Sequence, residues 1–332
     1  MNDKKKEPLF HIVKRDALPW YQSVGIRAIA IVLALIVCAV VTMILTGTNP
    51  IQVFQSIIAG AFGSARKTWI TFQNIAILLL ISLALTPAFK MKFWNIGGEG
   101  QVLIGGLASA ACMICLAEKL PAALVVVCMI VTSIAAGAFW AFIPAFFKAK
   151  WNTNETLSTL MMNYIATQLV AFFTIVWEVP KGSGKIGIIN QNSNVGWLPQ
   201  LFGSKYLLPI VVAVIVTVFM HIYLWYSKHG YEICVVGESE NTAKYVGIKV
   251  EKVIIRTMIL SGAICGLVGL LLVGGINHTV TTTIAGGQGF TAVLVSWMSK
   301  FNPFTMIFSS LLIVFMDRGA SEISTNFGLN HS

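Results

Sequence analysis

Long apolar runs alternate with short polar breaks along this chain, and the lengths of the runs set its class. Apolar stretches lie at about residues 25–45, 68–89, 98–117, 121–148, 155–177, 206–226 and 253–273. Each is near the roughly 20 residues that cross a bilayer as a helix. The pattern predicts an all-α integral membrane protein, a polytopic helical bundle. The first run is too long for a signal-peptide core and has no small-residue cleavage site after it, so it is expected to stay as a helix. Residues 51–66 are weakly amphipathic and are expected to lie at the surface. Residues 179–206, rich in Gly, Asn, Ser and Pro, form the longest internal loop.

After residue 273 the pattern breaks. Gly274-Gly275-Ile276-Asn277-His278 and a Thr run precede two short apolar pieces, Phe290–Ser299 and Phe304–Met316, parted by Lys300-Phe301-Asn302-Pro303. Such a pair reads as a broken or re-entrant helix, which membrane depth tolerates only where protein or a cavity surrounds it. A polar tail follows, so a closing helix is expected to be missing from this chain.

Charge adds orientation. Only 11% of the 332 residues are charged, against about 25% in soluble domains. A net charge of +10 in a soluble protein would point to nucleic acid; here the basic residues fall in loops. With the N-terminus inside, fifteen Lys and Arg are cytoplasmic: Lys4, Lys5, Lys6, Lys14, Arg15, Arg27, Lys90, Lys92, Lys148, Lys150, Lys228, Lys244, Lys249, Lys252 and Arg256. Six are outside: Arg66, Lys67, Lys119, Lys181, Lys185 and Lys205. That bias makes residues 1–24 a cytoplasmic tail and 25–328 the transmembrane domain. It places the 228–252 segment in the cytoplasm and the 179–206 loop outside. Membrane lipid is the expected surroundings, and no nucleic-acid partner is expected.

Within 228–252, residues 236–248 read as one small helix. Ser239 caps its first free N–H groups, Glu240 complements the dipole, and Gly247 supplies a left-handed end. So short a helix is not stable alone and needs something to hold it.

Polar groups inside the spans are costly in lipid and are expected to face the bundle interior. These are Asn95, Glu99 and Gln101 around the third span, and Glu155, Thr159 and Asn163 on the fifth. Glu155, Thr159, Asn163 and Thr167 recur every four residues as one polar stripe. Interhelical hydrogen bonding explains any one of them; a water-accessible translocation path is an equally good reading of the whole. Gly97-Gly98-Glu99-Gly100-Gln101 and Gly286-Gly287-Gln288-Gly289-Phe290 each open an apolar helix and enter from opposite faces, as an inverted repeat would.

Catalytic and metal signatures are missing. Cys112-x-x-Cys115 has redox spacing without a second pair or a nearby His, and reads as apolar filler. Gly182-Ser183-Gly184-Lys185 lacks the Ser or Thr and the Gly spacing of a phosphate loop. Asp317-Arg318 reads as an ion pair at the membrane interface. An ion-coupled secondary transporter of a small polar solute, with Glu99 or Glu155 as its ion site, also fits the broken helices.

Phe93-Trp94-Asn95-Ile96-Gly97-Gly98-Glu99-Gly100-Gln101-Val102-Leu103-Ile104-Gly105 resembles a signature of bacterial ABC importer permeases of the ribose and branched-chain amino acid class. Asn154-Glu155-Thr156-Leu157-Ser158-Thr159-Leu160-Met161-Met162-Asn163-Tyr164 resembles a second, typical of the simple-sugar and nucleoside branch. The cytoplasmic helix resembles a third, with Ser239-Glu240 where the family usually has Asn-Pro. The resemblance implies a type II-like importer permease with broken or re-entrant helices, in a bacterial plasma membrane, moving a nucleoside or simple sugar by alternating access. It implies a cytoplasmic ABC ATPase partner that carries ATP and Mg, with no cofactor on this chain. It also implies a second, non-identical permease and an extracytoplasmic binding protein or lipoprotein. Gly237, Ser239, Ala243, Val246 and Gly247 are then expected to dock on the ATPase, with Ala243 and Val246 forming the small apolar face. Asn95, Glu99, Gln101, Glu155, Thr159 and Asn163 are expected to line the path, and the chain is expected to be a transport subunit rather than an enzyme.

Overall fold

A computed structural model describes residues 19–47 and 49–327, so Lys4, Lys5, Lys6, Lys14 and Arg15 of the expected cytoplasmic tail lie outside the described residues. The described chain is helical, without a strand. In order it forms α1 (Trp20–Thr46), α2 (Pro50–Phe62), α3 (Ala65–Lys90), α4 (Gly98–Leu116), α5 (Ala122–Trp151) and α6 (Glu155–Val176). There follow α7 (Leu207–Tyr226), α8 (Lys228–Glu238), α9 (Glu240–Tyr245), α10 (Val250–Leu270), α11 (Gln288–Met298) and α12 (Pro303–Phe327), with α10 running on as a π-helical turn over Leu271–Asn277. Seven described helices are long and apolar enough to cross a membrane. They include every expected span from the second to the seventh, and α12. The first expected span falls on α1, which starts at Trp20 rather than at residue 25 and is not one of the seven; its apolar stretch is the shorter Ile29–Ile44.

α3 is the core of the bundle: from Ile75 to Phe89 its residues are buried on every side. The second centre is the seam where α10 meets α5 and α4. Gly262-x-x-x-Gly266 on α10 faces Gly137 on α5, and a Cβ on Gly266 would fall inside the Ser133 carbonyl. Small residues let two backbones meet in a setting where apolar surface gives helices no preference for each other over lipid.

Three expectations change. Residues 51–66 are more than a surface helix: Ile51, Ile58 and Phe62 are exposed, but Val53 and Ala61 on the other face are buried, and α2 packs on α12 and α3. Thr71 Oγ donates to the Ala61 carbonyl at 3.0 Å. The two short apolar pieces are not halves of one helix. α11 is a short helix alongside α3, and α12 is a full 25-residue helix beyond a turn at Lys300 and Phe301, both in the left-handed region. The polar residues after Met316 stay helical because they are satisfied across the bundle. Glu322 accepts from Lys67 Nζ at 2.8 Å. Arg318 does not pair with Asp317 but donates from Nε to the Asn74 side-chain oxygen at 3.0 Å, with that amide turned to face it.

The helix ends define two poles. Lys90, Lys148, Lys150, Lys228, Lys244, Lys249 and Lys252 lie at one, called here the basic end, and Lys67, Lys119, Lys181, Lys185 and Lys205 at the other. The loop at the far end is pinned to the π-helical turn: Leu198 N donates to Gly274 O at 2.9 Å, and Ile189 N to His278 O at 2.8 Å. At the loop's start the Glu178 carboxylate accepts from Gly182 N at 2.7 Å and Gly184 N at 2.9 Å. Those two bonds, helped by the charge of Lys181, hold its pKa below the ordinary carboxylate value. The folded pKa is the depressed one, so the carboxylate's hold on the loop is complete above the usual Glu value of about 4.3 and is lost as pH falls through the lowered pKa. Exchange protection at Gly182 and Gly184, corrected for intrinsic rates, is expected to fall over that window and to lose its pH dependence in Glu178→Gln.

Candidate translocation and coupling sites

Two non-helical segments enter the depth of the bundle, and the side chains that hold them form the buried polar site. The first is residues 91–97, between α3 and α4. It turns back beside α3, so that a Cβ on Gly98 would touch Leu85 and Ile81. A chain leaving a helix here exposes backbone groups that nothing in lipid can satisfy. α6 supplies the partners: Asn163 Oδ1 accepts from Gly100 N at 2.9 Å, and Asn163 Nδ2 donates to Ile96 O at 2.9 Å. Thr159 Oγ accepts from Ile96 N at 3.3 Å and donates to Glu155 O at 2.8 Å. Asn95 folds the segment on itself, its Oδ1 accepting from Gly97 N at 3.0 Å and from Gln101 Nε2 at 3.3 Å. Its Nδ2 donates to Ser261 Oγ on α10 at 3.0 Å.

The second segment, residues 278–287, descends from the far end to the start of α11. There it meets the first. The Glu99 carboxyl group accepts from Gly287 N at 2.9 Å and Gly289 N at 2.8 Å, which caps the N-terminus of α11 with both side-chain oxygens. Gly289 lies so close that a Cβ there would collide with the Glu99 backbone. From this junction the two helices leave in opposite senses. α4 runs up α10, with Gly105 on Gly266 and Gly106 on Val273. α11 runs down α3, with Ser296 Oγ donating to Ser82 O at 3.0 Å and Phe301 stacked on Phe89. The two Gly-rich motifs that echo each other in sequence are therefore in contact.

Of the six residues expected on a path, Asn95, Glu99, Gln101, Thr159 and Asn163 come together here, all buried, at most 9% exposed. They bind backbone, each other and Ser261. Glu155 stands apart at the basic end, paired with Lys148 at 2.9 Å. Both carboxylates that could have served as an ion site are thus already engaged. Ser261, Gly287 and Gly289 were not anticipated as partners, since nothing local marks an α10 serine or two glycines as the receivers of side chains so distant in sequence. The small-residue seam had a readable signal in Gly262-x-x-x-Gly266.

At the basic end the expected single helix over 236–248 is two. α8 ends at Glu238, Ser239 is extended (φ −160°), and α9 starts after it. The cap that Ser239 provides, Oγ accepting from Thr242 N at 3.2 Å, is itself the break, because a capping residue sits outside helical geometry. Gly247 is left-handed at φ +83°, as expected. Gly237 lies on α8 and abuts the Lys90 carbonyl at the end of α3. Ala243 and Val246 do not share a face: Ala243 is fully buried with Phe93, Ala141, Ile233 and Met258, whereas Val246 and Tyr245 point outward, Tyr245 97% exposed. Arg256 on α10 donates to Glu232 on α8 at 2.9 Å, so the segment is fastened to both flanking elements.

A bundle of spanning helices with two re-entrant segments meeting inside it is the architecture of a membrane transport subunit. The family model for the branched-chain amino acid transport system permease component matches residues 68–328, and the chain belongs to that family, the permeases of ABC transporters. It is a multi-pass membrane protein and a transport component rather than a catalyst. It is 28% identical over 317 residues to the nucleoside ABC transporter permease protein NupB of Lactococcus lactis, covering 93% of this chain and 86% of that one. It is 29% identical over 305 residues to the guanosine ABC transporter permease protein NupP of Bacillus subtilis, covering 91% and 86%. The glucose ABC transporter permease protein TsgB13 of Haloferax volcanii is 25% identical over 329 residues, covering 95% and 85%. No solved structure matches the chain.

Proposed function

We propose that this chain is the membrane subunit of an ATP-driven importer of nucleosides in a bacterial plasma membrane, with its basic end and N-terminus in the cytoplasm. A cytoplasmic ABC ATPase binds ATP and Mg and drives it, a second, non-identical permease completes the pore, and an extracytoplasmic binding protein delivers the solute. The observation that carries this reading is the α8–α9 segment: an exposed Tyr245 and Val246 at the end of a short helix held by α8 and α10, with Ala243 buried on its other side. Such an element passes on displacement rather than absorbing it. The outward docking face is then Tyr245 and Val246 beside Lys244, with Ala243 and Gly237 seating the helix on its own chain. Nucleoside is preferred to sugar because NupB and NupP are nucleoside and guanosine permeases by name; the glucose relative TsgB13 makes sugar the competing cargo.

The test is uptake of labelled guanosine and of glucose by cells or vesicles carrying the assembled transporter. Guanosine uptake is expected to stop with vanadate and to survive an ionophore, and Val246→Asp is expected to lower it at least tenfold while the complex's membrane yield holds. Uptake that resists vanadate and collapses with the ionophore overturns the ATP-driven reading. Glucose uptake without guanosine uptake overturns the cargo.

A further inference from the structure

The buried polar node leaves open which surface the solute touches, and α11 answers it. α11 has one exposed side, Phe290 (44% exposed), Leu294 (60%), Trp297 (46%) and Met298 (57%), at helical spacing. The descending segment that leads into α11 is exposed at Thr283 and Gly286. Non-helical backbone at this depth does not face lipid, because its N–H and C=O groups would go unsatisfied; it borders a cavity or protein. The face that continues from it along α11 therefore looks onto the same space. At its lower end Trp94, from the other re-entrant segment, stacks on Trp297 with ring centroids 5.3 Å apart and planes 25° apart, and Trp94 is itself 44% exposed. Phe89 and Phe301 brace the pair from behind. Two indoles fixed against each other with rings half open offer a flat apolar platform, and no charged side chain lies on this stripe.

We propose that this face is the solute-contacting wall of the translocation path, and that the Trp94–Trp297 pair is a stacking site for a neutral nucleobase. The platform rests on the nucleoside reading above; the wall does not. Stacking on an aromatic plane is worth about 1–3 kcal/mol per base and tolerates different bases. That suits a transient contact which must bind a passing solute and let it go.

The experiment uses the assembled transporter in vesicles. Leu294→Cys and Thr283→Cys are expected to react with a charged, water-soluble thiol reagent at least tenfold faster than the parent chain with its own cysteines, and guanosine is expected to slow Leu294→Cys. Trp297→Ala is expected to lower guanosine uptake per assembled complex at least tenfold, and Trp297→Phe to keep it within about threefold. Leu294→Cys labelling no faster than the parent in every nucleotide state overturns the wall and assigns the stripe to lipid or to another subunit. Trp297→Ala within twofold of the parent for guanosine overturns the platform alone. Glucose uptake with no guanosine uptake overturns the platform together with the cargo reading, while the labelling still decides the wall. Should Trp297→Ala fail to assemble, Trp94→Ala carries the same expectation, and Leu294→Cys, at an exposed position, gives its answer independently of both.

Discussion

Glu99→Ala is expected to remove nearly all transport and to cost the folded protein several kcal/mol. The carboxylate holds the N–H groups of Gly287 and Gly289, and inside the bundle water cannot replace it. Each orphaned buried donor costs about 1–3 kcal/mol, and the start of α11 also loses the charge that complements its dipole, worth up to about 2 kcal/mol in a buried setting. Glu99→Gln separates these effects. Its amide oxygen keeps one N–H bond, while its NH2 group meets the second N–H donor to donor, for a loss of roughly 2–3 kcal/mol. Glu99→Asp keeps the charge one methylene short. The expected order of thermal stability in detergent is wild type, Asp, Gln, Ala. If Gln matches wild type in both melting temperature and uptake, the cap contributes nothing.

Gly266→Leu is expected to be the most damaging change in the α5–α10 seam. No rotamer helps, since the first atom added already overlaps the Ser133 carbonyl and both partners are backbone. Overpacking a core usually costs about 1–3 kcal/mol; two helices that must separate along their length exceed that range. Gly25→Leu is the control, since nothing lies near a Cβ there, and it is expected to fall within about 0.5 kcal/mol. Chemical unfolding of the purified proteins compares the two. Equal stability would mean that α5 and α10 part at little cost.

The spans were legible because crossing a bilayer fixes a length, and length is written in the sequence. Residues Thr68–Phe89 and Gly98–Ala117 match α3 and α4 closely for that reason. The breaks were harder. Ser239 carried a correct cap signal, yet the residues before it proved to be another helix, because a cap says where a helix starts and not what precedes it. α12 was cut short at Met316, where Asp317, Arg318 and Glu322 made the sequence look like a tail; their partners Asn74 and Lys67 sit on α3, out of reach of any local pattern. The candidate site was half legible. Cost in lipid singled out Asn95, Glu99, Gln101, Thr159 and Asn163, but polarity alone does not distinguish a side chain that faces water from one that holds a neighbour's backbone. In this conformation Asn95, Glu99, Thr159 and Asn163 hold backbone and Gln101 bonds the Asn95 side chain.

One consequence concerns how force would travel. Gly237 abuts the Lys90 carbonyl and Ala243 is fully buried, so α8 meets the end of α3 backbone to backbone, beside a cavity lined by Met91, Phe93, Gly237 and Ser239. A push carried along α8 therefore reaches the end of α3 through that contact. The next compliant element is the 91–97 turn, and that turn is hydrogen-bonded through Asn163 and continues into Glu99, whose carboxylate grips α11. The lever arm and the latch share one short stretch of chain, so its stiffness, rather than any single contact, would set how much of a stroke at the basic end arrives at the heart of the bundle.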